Sequence, residues 1–238
     1  MSDGHASGGD ASLTEASGED ESVRDRLTLA DWRRRIAELY AEVRAMNAAD
    51  PAIGLAHWRA VRERLFREHP QSPVLPERRA TFRASHFDHD PRLRFEATVE
   101  PAAPALASAS GGLGLELGLE LPNSGADTLR FDRIGVVRLP FPGGDQRLSV
   151  YWMAGYTGGL FIPFRDATNG TSTYGAGRYL VDAAKSADLG SVADTGALIL
   201  DFNFAYQPSC AFDPRWACPL APPANRLPIE VAAGERLG

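Results

Sequence analysis

Apolar residues recur every three to four positions in two stretches near the N-terminus. Trp32, Ile36, Leu39, Tyr40, Val43 and Met46 mark one helix; Leu55, Trp58, Val61, Leu65 and Phe66 mark a second. Thr28 is placed to cap the first, with Asp31 three residues on in a capping-box-like position. Asp50-Pro51 opens the second, a capping side chain followed by the residue preset for the first helical position. His69-Pro70 ends it, since proline removes a backbone donor and clashes with the preceding turn. The arginines of this second helix are expected on its outward face. Trp32 and Trp58 read as core anchors rather than ligand-stacking residues.

From about residue 80 the period drops to two. Leu113, Leu115, Leu117, Leu119 and Leu121 alternate with glycine and glutamate, the pattern of a strand with one wet face. Strands are expected near 92–99, 113–121, 128–139, 147–154, 159–165, 178–183, 197–206 and 227–232. Asn123-Ser124-Gly125 and Pro142-Gly143-Gly144-Asp145 supply turn chemistry between them. In the third strand the apolar parity slips between Leu129/Phe131 and Ile134/Val136, and a bulge near Arg133 accounts for the slip. Residues 101–112 read as a low-complexity loop. The predicted architecture is α+β and mostly β: about eight antiparallel strands forming a barrel or sandwich, with two N-terminal helices packed on it. It is a single domain, 28–238, divided into a helical hairpin at 28–69 and a β part at 80–238.

Composition narrows the class without naming a reaction. A hydrophobic share of 44% with 24% charged residues is that of an ordinary soluble globular chain. No apolar run of about 18 residues can cross a membrane, and the N-terminus has no signal-peptide pattern, so a cytoplasmic location is expected. The net charge of −6 is unevenly spread. Residues 1–27 hold seven acids (Asp3, Asp10, Glu15, Glu19, Asp20, Glu21, Asp25) against Arg24 and Arg26, and they read as a disordered acidic tail. The near-neutral remainder has no electrostatic footprint for nucleic acid or an anionic membrane. Lys185 is the only lysine, so arginine carries almost all the positive charge.

Candidate chemistry concentrates in three segments. Residues 164–180 (FRDATNGTSTYGAGRYL) load a loop with hydroxyls, one carboxylate, one amide and three glycines, which permit positive φ and close approach. Asp166 and Thr168 either hold this turn through backbone amides or line a ligand site with Thr173 and Tyr174. Arg178 is the anion-binding candidate, because a guanidinium grips a carboxylate or phosphate with two bonds; the plainer alternative is a buried ion pair with Asp166 or Asp201. In 197–206, alternation puts Asp201 and Asn203 on one strand face about 7 Å apart. Cys210 and Cys218 have seven residues between them, and every histidine lies at or before His89, so no local Cys/His cluster forms. The thiols read as packed residues, as a disulfide or redox pair, or as metal ligands with Asp213 a poor third. His86-Phe87-Asp88-His89-Asp90 reads as an exposed polar bend. No hydrolase elbow, phosphate loop, dinucleotide fingerprint or zinc-protease motif occurs; no metal site is assigned and the cofactor is left open.

Taken together, these strings resemble a known family. Phe164-x-Asp166-x-Thr168-x-Gly170-x-x-Thr173-Tyr174-x-x-Gly177-Arg178-Tyr179-Leu180 is followed by Asp201-Phe202-Asn203-x-Ala205-Tyr206-x-Pro208-x-Cys210-Ala211. Cys218-Pro219-Leu220-x-Pro222-Pro223-x-Asn225-x-Leu227 and Ala233-Gly234-Glu235 complete the pattern, with Trp58-Arg59 to Phe66, Ser72-Pro73 and Phe82 upstream. The whole is similar to DUF1684, a bacterial and archaeal family without an assigned function, from about residue 50 to the end. Gln207 stands where the family usually has asparagine, and Phe204 where a polar residue is common. The resemblance implies that Asp166, Thr173, Tyr174, Arg178, Asp201, Asn203, Tyr206, Cys210, Cys218 and Asn225 act as a unit.

Three functions suit such a unit. The first is binding of a small polar or anionic ligand between the Asp166–Arg178 loop and the Asp201/Asn203 face, with Tyr206 and Asn225 contributing. The second is an enzyme with Asp201 or Asp166 as general acid or base and Arg178 stabilising an anion, which requires a buried carboxyl of raised pKa. The third is a satisfied polar network that fixes the fold.

Overall fold

In the computed structural model the described residues are 10–102, 116–121, 129–155 and 158–238. Two helices, α1 (Asp10–Asn47) and α2 (Pro51–Glu68), form an antiparallel hairpin, and a one-turn helix α3 (Pro76–Arg79) follows. Helix α2 begins as the sequence reads: Asp50 accepts a hydrogen bond from the Ala52 amide at 2.8 Å, with Pro51 in the first turn. Helix α1 starts well before Thr28. That residue is no cap; its hydroxyl donates back to the Asp25 carbonyl inside the helix. The tail expected to be unstructured is thus helical from Asp10 on, and residues 1–9 lie outside the described residues. No proline interrupts Asp10–Asn47, and adding turns to an existing helix avoids the nucleation cost.

Ten strands follow: β1 (Ser85–His86), β2 (Arg94–Ala97), β3 (Glu100–Pro101), β4 (Glu116–Leu121), β5 (Leu129–Phe141), β6 (Gly144–Met153), β7 (Leu160–Phe164), β8 (Arg178–Asp182), β9 (Leu198–Asp201) and β10 (Glu235–Arg236). The main antiparallel sheet runs β3-β5-β6-β7-β8, with β4 also on β5; β2 pairs β9 and β1 pairs β10 separately. The protein is therefore α+β with antiparallel sheets, and the sheet does not close into a barrel. Two segments that closure would need do not extend as strands. The expected strand 197–206 stops at Asp201, where the chain turns into a 3-10 helix at Phe202–Phe204. The expected strand 227–232 is irregular chain, tied to the β7–β8 loop by Leu227 N donating to Arg165 O and Ala167 N to Ile229 O. Asn123-Ser124-Gly125, Leu113, Leu115 and most of loop 101–112 lie outside the described residues.

The parity slip in the third predicted strand is a bulge in β5, where the register with β6 shifts between Arg133 and Gly135. Its consequence is architectural. Phe131 before the bulge packs with Tyr151, Phe161, Tyr179, Trp58 and Leu39 under the helices. Val137 and Leu139 after it pack on the opposite face, with Leu148, Ile162, Phe95 and Phe202. One strand thus serves both layers. The hairpin turn at Pro142-Gly143 joins β5 to β6 with Phe141 opposite Gly144, whose φ of +117° suits glycine. Trp58 is fully buried, donates its indole N–H to the Tyr40 hydroxyl at 3.2 Å and meets Phe204 edge-on, so it anchors the helices to the sheet. No described helix is long and apolar enough to cross a membrane.

Candidate functional site

Asp166 heads the loop between β7 and β8, and both its oxygens are in use. Oδ2 accepts from the Thr168 hydroxyl at 2.8 Å and from the Val231 amide at 2.8 Å; Oδ1 accepts from Arg178 Nη2 at 3.3 Å. Since the Thr168 hydroxyl donates to Asp166, Thr173 donates to Thr168 across 2.8 Å, and Asn169 Nδ2 donates to Thr173 at 2.9 Å. Arg178 is wholly buried. Nη2 also donates to Val231 O at 2.8 Å, and Nη1 donates to the carbonyls of Ala233 and Glu235. Its guanidinium lies over the Phe164 ring, and burial lowers its pKa against the pull of Asp166. The side chain expected to grip a ligand grips the protein's own C-terminal segment. Gly177 makes this possible: its φ is +105°, and a Cβ there would come within 2.5 Å of the Phe164 carbonyl oxygen.

Asp201 and Asn203 do not share a strand face, because the strand ends between them. Asp201 Oδ1 instead accepts from both the backbone amide and Nδ2 of Asn203, at 2.9 and 2.8 Å, capping the 3-10 helix. Asn203 also exchanges two hydrogen bonds with the Asp90 backbone. Burial raises the Asp201 pKa, while Asn203 and Arg94, whose Nη1 stands 3.7 Å from Oδ2, pull it down. A raised, buried carboxyl is what acid–base catalysis needs, yet neither Asp201 nor Asp166 borders the cavity or the groove described below. Asn225 is fully buried and spends every bond on the sheet: Nδ2 donates to Ser149 O and Pro163 O, and Oδ1 accepts from Ser149 N. The Tyr206 hydroxyl donates to Asp182 at 3.0 Å.

Cys210 and Cys218 are buried and adjacent without a disulfide between them, and the Cys210 amide donates to Cys218 Sγ at 3.4 Å. Hydrogen bonding with Cys210, then burial, raises the Cys218 thiol pKa. Burial and then hydrogen bonding with Cys210 push the Tyr174 phenol up to about 12. These are protonated groups at neutral pH, without the thiolate character of reactive cysteines. Asp213 pairs with Arg215 at 2.8 Å. Among the described residues no three His, Cys, Asp or Glu side chains are placed to hold a metal. The ten residues that the resemblance groups together thus form several separate knots rather than one pocket.

A cavity of about 30 Å³ lies elsewhere, between the helical hairpin and the chain after β9. Trp32, Ile36 and Phe66 wall it; Arg62, Lys185, Tyr40, Tyr206, Gln207 and Ser209 bring polar atoms to it. Arg62 was expected outward with the other arginines of α2 but is only 8% exposed. Its Nε and Nη2 donate to the two carboxylate oxygens of Glu235. The rings of Phe66 and Tyr206 flank its guanidinium at 4.4 and 4.6 Å. Gln207 Oε1 is buried without a donor. Periodicity holds the missed signal, since Arg62 falls four residues after Trp58 and four before Phe66, on the buried stripe.

His86 belongs to this neighbourhood and is no exposed bend. It lies half-buried on β1, edge-on to Trp58, with Nε2 unpartnered. Burial lowers its pKa to about 4, with Arg59 and Arg62 adding to the effect. The unfolded chain takes up the proton near pH 6.5 and the folded one only near 4, so stability is complete above pH 6.5 and is lost as pH falls toward 4. Wild type is expected to lose stability relative to His86→Leu across that window, as read by urea unfolding at a series of pH values; a constant difference would contradict it.

Fold and site define an α+β domain whose C-terminal strings knot a β-sheet to its flanking chain. A family model described as "Protein of unknown function (DUF1684)" matches residues 81–236, and the chain belongs to this family. An uncharacterized protein of Haloarcula marismortui, solved by solution NMR, is 33% identical, with a TM-score of 0.55 over 81% of this chain and 97% of that one. Comparison with curated proteins gave no match.

Proposed function

We propose that the protein binds a small organic acid by its carboxylate at Arg62. The observation that carries this reading is a buried guanidinium in the wall of a cavity, held toward it by a two-bond grip from Glu235 through Nε and Nη2. Lys185, Tyr40 and Ser209 share the lining, and the Lys185 ammonium stands 3.8 Å from Asp182 Oδ2. A water needs about 10–15 Å³ by this measure, so 30 Å³ takes a carboxylate group but not a whole metabolite. The rest of the ligand leaves past Lys185, whose side chain is 36% exposed.

The family motif acts on this site at one remove. Arg178 holds the Glu235 carbonyl, the Glu235 carboxylate holds Arg62 and the Gln207 amide, and the Asp201 cap turns the chain toward Tyr206. On this reading the anion site is at Arg62 rather than at Arg178, with Arg178 as its support. Acetate, propionate and succinate titrated by calorimetry test this. Wild type is expected to bind one of them, and Lys185→Ala about fivefold more weakly with stability unchanged within about 0.5 kcal/mol. Absence of binding by all three, or equal binding by the variant, would overturn the proposal.

A further inference from the structure

Glu235 and Gln207 also border a much larger opening, a groove of about 660 Å³ between α3 and β10. Its floor is apolar, formed by Val74, Leu75, Phe82 and Phe212, and its rim carries the exposed Arg78, Arg83 and Arg236. Among the described residues none of these three arginines is in an ion pair. Arg83 donates to the Phe82 carbonyl and Arg236 lies over the Phe87 ring, contacts that leave their charge uncompensated. Arg79 shows the contrast: its guanidinium is spent on the carbonyls of Val74, His69, Pro70 and Ser72, which shape the groove wall. Among the described residues Glu235 is the one acidic side chain lining the groove, and Arg62 neutralises it.

We infer that this groove docks an acidic segment of a partner protein, with an apolar side chain of that segment seated on the floor. The argument is charge complementarity. Three like charges around an uncharged apolar floor are neutralised by carboxylates spaced along a chain. The exposed rim leaves the occupant partly in solvent, unlike the enclosed pockets that bury most of a small ligand. A peptide in such a place binds through a buried apolar anchor and a charged rim. This inference stands apart from the carboxylate cavity, since its charged residues do not line that cavity.

Fluorescence anisotropy of a labelled peptide of alternating glutamate and leucine tests it, with full-length protein at low and high salt. Wild type is expected to bind, more weakly at high salt because exposed charges are screened within about 10 Å. The double variant Arg78→Glu/Arg236→Glu is expected to lose about tenfold or more in affinity. Both positions are exposed, so circular dichroism is expected to match wild type. Equal binding by the variant, no binding by wild type, or preference for a lysine–leucine peptide would overturn the inference. Full displacement of the peptide by equimolar citrate would overturn the commitment to a peptide.

Discussion

Arg178→Met is expected to destabilise the protein by about 3–5 kcal/mol, the cost of removing one partner of a buried ion pair. Asp166 would keep its hydrogen bonds from Thr168 and Val231 but lose the charge that offsets its own, in a site its side chain shares with no solvent. The carbonyls of Val231, Ala233 and Glu235 would lose their donor as well. Urea unfolding gives the value. Arg178→Lys, which keeps the charge without the fork, is expected between wild type and the methionine variant. Arg178→Met with Asp166→Asn is expected to recover part of the loss, because the uncompensated charge is gone. A methionine variant within about 1 kcal/mol of wild type would show that Arg178 does not lock the C-terminal segment.

Asn225→Ala is expected to cost about 3 kcal/mol, since three hydrogen bonds at roughly 1 kcal/mol each are lost inside the protein. The amide bridges two neighbouring strands from outside the sheet, taking Ser149 on β6 and Pro163 on β7. Asn225→Asp is the informative companion. It keeps the acceptor for Ser149 N but sets a carboxylate against two carbonyls, and its loss is expected to equal or exceed that of alanine. Urea unfolding again decides, and a loss below about 1 kcal/mol would contradict the role given to this side chain.

The sequence shows what depends on near neighbours. Asp50-Pro51 marks the start of α2 because capping is local, and the β5 bulge is legible because parity along one strand records the face each side chain meets. The closed barrel fails for the complementary reason. Period two continues through Leu198–Tyr206, but Asp201 captures Asn203 and bends the chain, and alternation carries no sign of where a strand ends. The same Asp-x-Asn spacing reads as a cap once side-chain-to-backbone bonding is weighed against strand pairing. Arg178 is recognisable as important in either reading, yet apart from Asp166 its partners lie more than fifty residues away, Val231 and Ala233 in irregular chain and Glu235 on the two-residue strand β10. Arg62 is the clearest omission. Its partner Glu235 is 173 residues distant, and an arginine among arginines on α2 shows itself only by its place on the apolar stripe.

Arg62 receives the ligand on the proposed reading, while Arg178 holds the fold. Guanidinium-detected NMR of the intact protein during an acetate titration reads both side chains at once. The account predicts a saturable shift of the Arg62 guanidinium signals with those of Arg178 unmoved. A saturable shift at Arg178 with Arg62 silent, or no shift at either, would contradict it.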